Sequence, residues 1–254
     1  MKSLRIFDTP TEVAGAVADR LAEVLAQHPR PVITFPTGST MLPVYREIVA
    51  RSQTGQLDLR GVQGIQLDEY AGVDDHTEAS FRAWLHEHLL APTGITAFHT
   101  LPAHDPTPAA LASYEQVIAS YGGVDLAILG IGGNGHIAFN EPGSPADSRT
   151  RVVELDRRTR QANERYWTDS DAFVPTRAVT QGIGTILEAR EVLLIATGAE
   201  KAEILHEALH GPVSEHVPAS LIRSHPHAEV LADAAAAGRQ PSDSSARESD
   251  RLSA

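Results

Sequence analysis

The run Gly130-Ile131-Gly132-Gly133-Asn134-Gly135-His136-Ile137-Ala138-Phe139-Asn140-Glu141-Pro142 is the most unusual stretch of this 254-residue chain. Its four glycines allow a backbone path, and a close approach, that side chains would forbid. His136 stands amid small and apolar residues, with Glu141 five positions on. A histidine that changes charge near neutral pH, with a carboxylate to fix its tautomer, suits proton transfer. As a dinucleotide fingerprint the run fails, because it comes late and no obvious cofactor helix follows it. Asp68 begins Asp68-Glu69-Tyr70 directly after the strand expected over Val62 to Leu67. In a crevice, partial desolvation would raise its pKa and make it a usable base; the plainer reading is a capping or turn aspartate. Thr37-Gly38-Ser39-Thr40 opens a helical pattern and offers backbone N–H groups and hydroxyls to an anion. It lacks the second glycine and the Gly-Lys-Ser/Thr ending of a Walker A loop, and an ordinary N-cap loop is its alternative. Lys201 could reach an anion as a flexible point charge and Arg165 as a bidentate fork, although each alone reads as a solvated surface charge. His206 and His210 have helical spacing but no H-E-x-x-H arrangement, so no metal site is expected.

These residues need elements to hold them. Thr9-Pro10-Thr11-Glu12 carries a capping box with proline at the first helical position, and Val13, Val17, Leu21, Val24 and Leu25 then form one stripe. Pro31 to Phe35 reads as a short buried strand before the Thr37 loop, and Leu42, Tyr45, Ile48 and Val49 mark the helix after it. Val62 to Leu67 reads as a strand ending at Asp68. Phe81, Trp84, Leu85 and Leu89 mark a further helix, and Leu111, Tyr114, Ile118 and Tyr121 another. Val124 to Leu129 is the clearest buried strand; Glu191 to Ala196 is similar and precedes Thr197-Gly198 and a helix near Ala199. The alternation predicts an α/β fold of modified Rossmann-like type, an open, mostly parallel sheet with helices on both faces. Ligands bind outside the carboxyl ends of such strands, where Thr37–Thr40, Asp68, Gly130–Glu141 and Thr197–Lys201 all fall.

Composition narrows the function classes. The chain carries a formal charge of −12, is 42% hydrophobic and 21% charged, and has no cysteine. A disulfide framework, zinc–thiolate site or cysteine nucleophile is excluded. The acidic balance argues against a nucleic-acid partner, so any anionic substrate must be held by local donors. No apolar run reaches membrane-spanning length, and the N-terminus has no signal-peptide core, so a cytoplasmic protein is expected. Residues 1–238 read as a single domain. Residues 239–254 hold five serines and almost nothing to bury, and are expected to be a disordered tail.

The chain resembles the glucosamine-6-phosphate deaminase family, relatives of the 6-phosphogluconolactonases. The resemblance rests on Phe35-Pro36-Thr37-Gly38-Ser39-Thr40, Leu67-Asp68-Glu69-Tyr70, the Gly130 to Pro142 run, Arg149-Thr150-Arg151, Ala162-Asn163-Glu164-Arg165, Gly182-Ile183-Gly184-Thr185 and Gly198-Ala199-Glu200-Lys201-Ala202. It implies conversion of glucosamine 6-phosphate and water to fructose 6-phosphate and ammonia, with no cofactor and no metal. Asp68 matches the base that moves a proton between C2 and C1, His136 the residue that opens the pyranose ring, and Glu141 its partner. Thr37, Gly38, Ser39, Thr40, Arg165 and Lys201 match the phosphate site, and residues 155–178 a lid. Two departures stand out. Many members have an aspartate where this chain has Asn134, which can hydrogen-bond in the relay with His136 and Glu141 but cannot stabilise an imidazolium by charge. In allosteric members a serine, an arginine and a lysine bind an activator phosphate; Ser144 and Arg151 are present, but Val153 holds the lysine position. Weak or absent activation by N-acetylglucosamine 6-phosphate is therefore expected, in a monomer or homo-oligomer. The C4 epimer galactosamine 6-phosphate stays open as substrate, and a sugar-lactone hydrolase or a non-catalytic sugar-phosphate sensor are the alternatives.

Overall fold

Thr9 sets the start of the first helix. Its hydroxyl accepts from Glu12 N at 3.2 Å, and Glu12 Oε2 accepts from Thr9 N at 2.9 Å, completing the expected capping box at the head of α1 (Pro10–Gln27). A cap of this kind contributes about 1 kcal/mol. Val13, Val17, Leu21 and Val24 are buried along α1, whereas Leu25 is only partly covered. The computed structural model describes residues 1, 3–74, 77, 79–164, 167 and 174–239. Arg165, the middle of the expected lid and nearly all of the expected tail lie outside them.

The main sheet has seven strands: β1 (Ser3–Phe7), β2 (Val32–Phe35), β3 (Gln63–Gln66), β5 (Ala97–His99), β6 (Leu126–Gly130), β9 (Glu191–Ala196) and β10 (Ala228–Asp233). Their order is β1-β10-β9-β6-β2-β3-β5, and every neighbouring pair is parallel. Adjacent residues on one strand enter opposite cores. Ile33, Ile128, Leu193 and Leu231 pack with α1, α2 (Met41–Gln53) and the helix beginning at α3 (Phe81–Leu85). Val32, Leu129, Leu194 and Val230 pack with α5 (Pro108–Ser120), α7 (Ile183–Leu187) and α8 (Ala202–His210). Burial on both faces explains why these strands read as continuous apolar runs.

Three expectations are corrected. First, the strand from Val62 does not simply end at Asp68. The parallel ladder stops at Gln66, and Asp68 opens β4 (Asp68–Tyr70), which joins β8 (Arg177–Thr180) and β7 (Arg151–Glu154) in a separate antiparallel sheet of order β4-β8-β7. At the switch, Gln66 O is taken by the Tyr114 hydroxyl and Gln181 Nε2, and Leu67 O by Gln181 N. Second, α2 buries Met41, Val44, Tyr45 and Ile48 and leaves Leu42 and Val49 partly exposed, with the Tyr45 hydroxyl donating to Pro36 O at 2.5 Å. Third, Tyr121 is 40% exposed, since α5 stops at Ser120 before Gly122-Gly123. The helix after Ser80 is also irregular: α3 runs through a π turn at His86–Leu90 into α4 (Ala91–Thr93).

The segment 155–176 links neighbouring antiparallel strands β7 and β8 and contains α6 (Arg157–Asn163). Among the described residues no helix is long and apolar enough to cross a membrane.

Candidate active site

One cavity of about 270 Å³ lies beyond the carboxyl ends of β2, β3 and β6. It is lined by Thr37, Gly38, Ser39 and Thr40, by Asp68, by His136 and by Lys201. Residues spread over more than 160 positions of sequence therefore meet in one space.

The end suited to an anion is built from β2 and its loop. Gly38 has φ +109°, a backbone that L side chains rarely adopt, and lets the chain turn from strand into α2. Gly38 O and Ser39 O accept from Met41 N and Leu42 N at 3.0 and 3.3 Å, closing the first turn. Thr40 occupies the N-cap position, and its side chain makes no capping bond. Lys201 closes the short 3-10 turn Ala199–Lys201. That turn is held from below by Asp233, whose two oxygens accept from Gly198 N at 3.1 Å while Oδ1 also takes Ala236 N.

The end that carries Asp68 and His136 has different supports. Asp68 is 8% exposed, and burial first, then the charge of neighbouring Glu69, pushes its pKa up to about 8. In β8, Thr180 pairs with Asp68, and its hydroxyl accepts from Phe139 N at 3.2 Å. Asn140 Nδ2 donates to Gln181 O at 2.8 Å. One strand thus seats both Asp68 and the loop bearing His136.

Within that loop His136 Nδ1 lies 3.5 Å from Glu141 Oε2, which also accepts from Asn134 Nδ2 at 2.7 Å. Asn134 Oδ1 accepts from the His136 backbone N at 3.2 Å, and Glu141 lies between the Asn134 amide and the His136 ring. Burial raises the Glu141 pKa, but the His136 hydrogen bond and charge, with help from Thr159 and Asn134, prevail and hold it down to about 2. Gly132 is required by contact: a Cβ there would sit 2.2 Å from the His136 ring. Ala138 has φ 49°, the one positive value outside glycine among the described residues, at a cost of about 1–2 kcal/mol.

Thr159, Ala162 and Asn163 bring one face of α6 to the cavity, with the Thr159 hydroxyl 3.5 Å from His136 Nδ1. Phe81 and Trp84 of α3 form an apolar wall. Sequence reading had not singled out Thr159 for the site, although its i, i+3, i+4 spacing with Ala162 and Asn163, after the Asp156 cap, carries the signal. Arg151 donates to Asn140 Oδ1 at 2.8 Å, and Val153 packs partly buried against the Tyr70–Phe139 cluster. Among the described residues no group of three or more His, Asp or Glu gathers as a metal site; His206 and His210 only place their rings 4.7 Å apart.

A parallel sheet with its polar loops converging at the strand ends places the molecule among the α/β enzymes that act on small ligands there. Comparison with known proteins narrows the class. Residues 8–232 match the family of glucosamine-6-phosphate isomerases and 6-phosphogluconolactonases, and the chain belongs to that family. It is 45% identical over 231 residues to the glucosamine-6-phosphate deaminase of Pseudarthrobacter chlorophenolicus, covering 89% of this chain and 87% of that one. With the Mycolicibacterium smegmatis enzyme of the same name it shares 43% over 242 residues, covering 92% and 91%. Among solved structures, a monomeric glucosamine-6-phosphate deaminase superposes with a TM-score of 0.88 at 36% identity, covering 94% of this chain and 99% of that one. The 6-phosphogluconolactonase of Trypanosoma brucei shares the fold at a TM-score of 0.71 and 21% identity, covering 94% and 98%.

Proposed function

We propose that this cavity converts glucosamine 6-phosphate and water to fructose 6-phosphate and ammonia. The observation that carries the reading is the shared lining: Asp68 and His136 face the same space as the Thr37–Thr40 loop and Lys201. The names of relatives at 43–45% identity support the same substrate.

The phosphate is held by the Thr37–Thr40 loop and Lys201, with Arg165 from the lid segment 155–178 as a further cation. His136, steadied by Glu141 and Asn134, moves a proton between O5 and O1 and opens the ring. Asp68 then takes the proton from C2 and returns it to C1 through an enolamine. Water adds to the resulting C2 iminium, ammonia leaves, and the ketose remains. A carboxyl group with its pKa near 8 both accepts and donates protons close to neutral pH, as a 1,2-transfer requires. Phosphate binding positions C2 against Asp68. Val153 supplies no cation, which supports weak or absent activation by N-acetylglucosamine 6-phosphate. The enzyme is placed in the cytoplasm, with residues 1–238 as one domain.

Ammonia release from glucosamine 6-phosphate, with solvent deuterium entering at the carbon chain, tests the reading. Turnover of 6-phosphogluconolactone without such exchange selects the lactone hydrolase instead, and binding without turnover selects the sensor.

A further inference from the structure

Next to Asp68 lies a second buried carboxylate that the proposed reaction does not use. Glu69 is 5% exposed and, as the next residue in β4, points to the opposite face of the strand. Its Oε1 accepts from Tyr70 N and Phe81 N, both at 3.0 Å. Its Oε2 accepts from Gln66 Nε2 at 3.0 Å and from Arg82 N at 2.9 Å. Phe81 and Arg82 are the first two residues of α3, and Ser80 Oγ takes the third amide, Ala83 N, at 3.0 Å. Two of the orphan donors of this helix are thus served from a strand twelve or more residues away. Among the described residues every partner of Glu69 is a donor. Burial raises the Glu69 pKa, and the hydrogen bonds from Phe81, Arg82, Tyr70 and Gln66, which suit a carboxylate, oppose that rise.

We propose that Glu69 is a positioning residue for the proton transfer: its buried carboxylate, on the opposite face of β4, ties the start of α3 and the cavity wall it carries to the strand bearing Asp68. This rests on the function proposed above. Phe81 and Trp84, the cavity wall, ride on the helix that Glu69 holds. The charge of that carboxylate is the second cause, after burial, of the upward shift at Asp68. Other titratable groups that act on Asp68 among the described residues are Tyr70 of its own strand, Tyr45 of α2 and Tyr114 of α5, all kept neutral by burial. His136 and Lys201 share its cavity and, when charged, work in the opposite sense. Arg82 contributes a backbone N–H to Glu69. Glu69 is therefore the one buried anion that raises the proton affinity of Asp68 among these groups.

The test is the pH dependence of kcat/KM for ammonia release in Glu69→Gln. Removing the charge stabilises ionised Asp68, so the limb on which activity rises with pH moves to lower pH, while kcat falls about tenfold as the clamp loosens. Ser80→Ala weakens the same helix start and keeps the charge; it lowers thermal stability and leaves the limb in place. Glu69→Asp retains the charge on a shorter arm and holds the limb near its original position with reduced kcat. An unmoved limb in Glu69→Gln overturns the proposal, as does an equal shift in Ser80→Ala. If Glu69→Gln does not fold, a limb displaced downward in Glu69→Asp has the same force. Asp68→Asn separates the two levels: retained turnover there defeats the proposed function itself, whereas lost turnover with an unmoved Glu69→Gln limb defeats only this inference.

Discussion

The two ends of the cavity are built on different principles. The end proposed to hold the anion comes from local chain: a strand, a glycine turn and a helix start in direct succession from Val32 to Met41, with Lys201 added from beyond one other strand. The end proposed for proton transfer comes from pairing between distant segments, with β8 holding both Asp68 and Phe139. Binding can be assembled from backbone amides and a flexible cation, which tolerate small displacements. Proton transfer cannot, because a shift of about 1 Å costs as much as a hundredfold in rate. A second sheet, separate from the main one, carries Asp68 in paired strand rather than in a loop.

Asp68→Asn should break the contrast most sharply. We expect ammonia release to fall about a thousandfold with KM nearly unchanged, measured by steady-state kinetics. The same variant should be more stable than the parent at alkaline pH. The folded-state pKa of Asp68 is raised, so its contribution is fully present below the unfolded value near 3.8, and is lost as pH rises towards about 8. Thermal melts of the two proteins at acid and alkaline pH check the sign. Gly132→Ala comes next: the new methyl must displace the His136 ring, and a loss of about a hundredfold in kcat is expected with substrate affinity kept. Lys201→Ala should act on the other end, raising KM roughly thirtyfold, as expected from about 2 kcal/mol for a charge-assisted bond, with kcat within a few-fold. A large kcat loss in that variant would erase the distinction between the ends. The smallest effect belongs to Thr159→Val, a few-fold fall in kcat that Thr159→Ser restores, since its hydroxyl adds about 1 kcal/mol to a relay already held by Glu141 and Asn134.

The same division governs what could be read from the sequence. The parallel sheet, the capping box at Thr9 and the Thr37–Thr40 loop are local patterns of apolar period, cap and turn, and they appear where the residues place them. Asp68 and His136 stand out as types, because a carboxylate at an expected strand end and a histidine in a glycine loop contrast with their surroundings. The support for Asp68 does not. The stretch Val62–Leu67 gives no sign that its continuation changes partners, because a ladder switch is written in the hydrogen bonds of Gln66, Tyr114 and Gln181 rather than in hydrophobic pattern. Glu69 was equally silent: a buried carboxylate serving the amides of a later helix has no local signature. Thr159 lay in a polar stretch whose only clue was a helical spacing of small residues.

The segment 155–176 leaves β7 and returns as β8, and β8 is flanked on its other side by the strand of Asp68. It is therefore a tongue rooted in a hairpin whose base is locked by pairing on both sides of β8. A change of length or composition between β7 and β8 therefore leaves in place the pairing that seats Asp68.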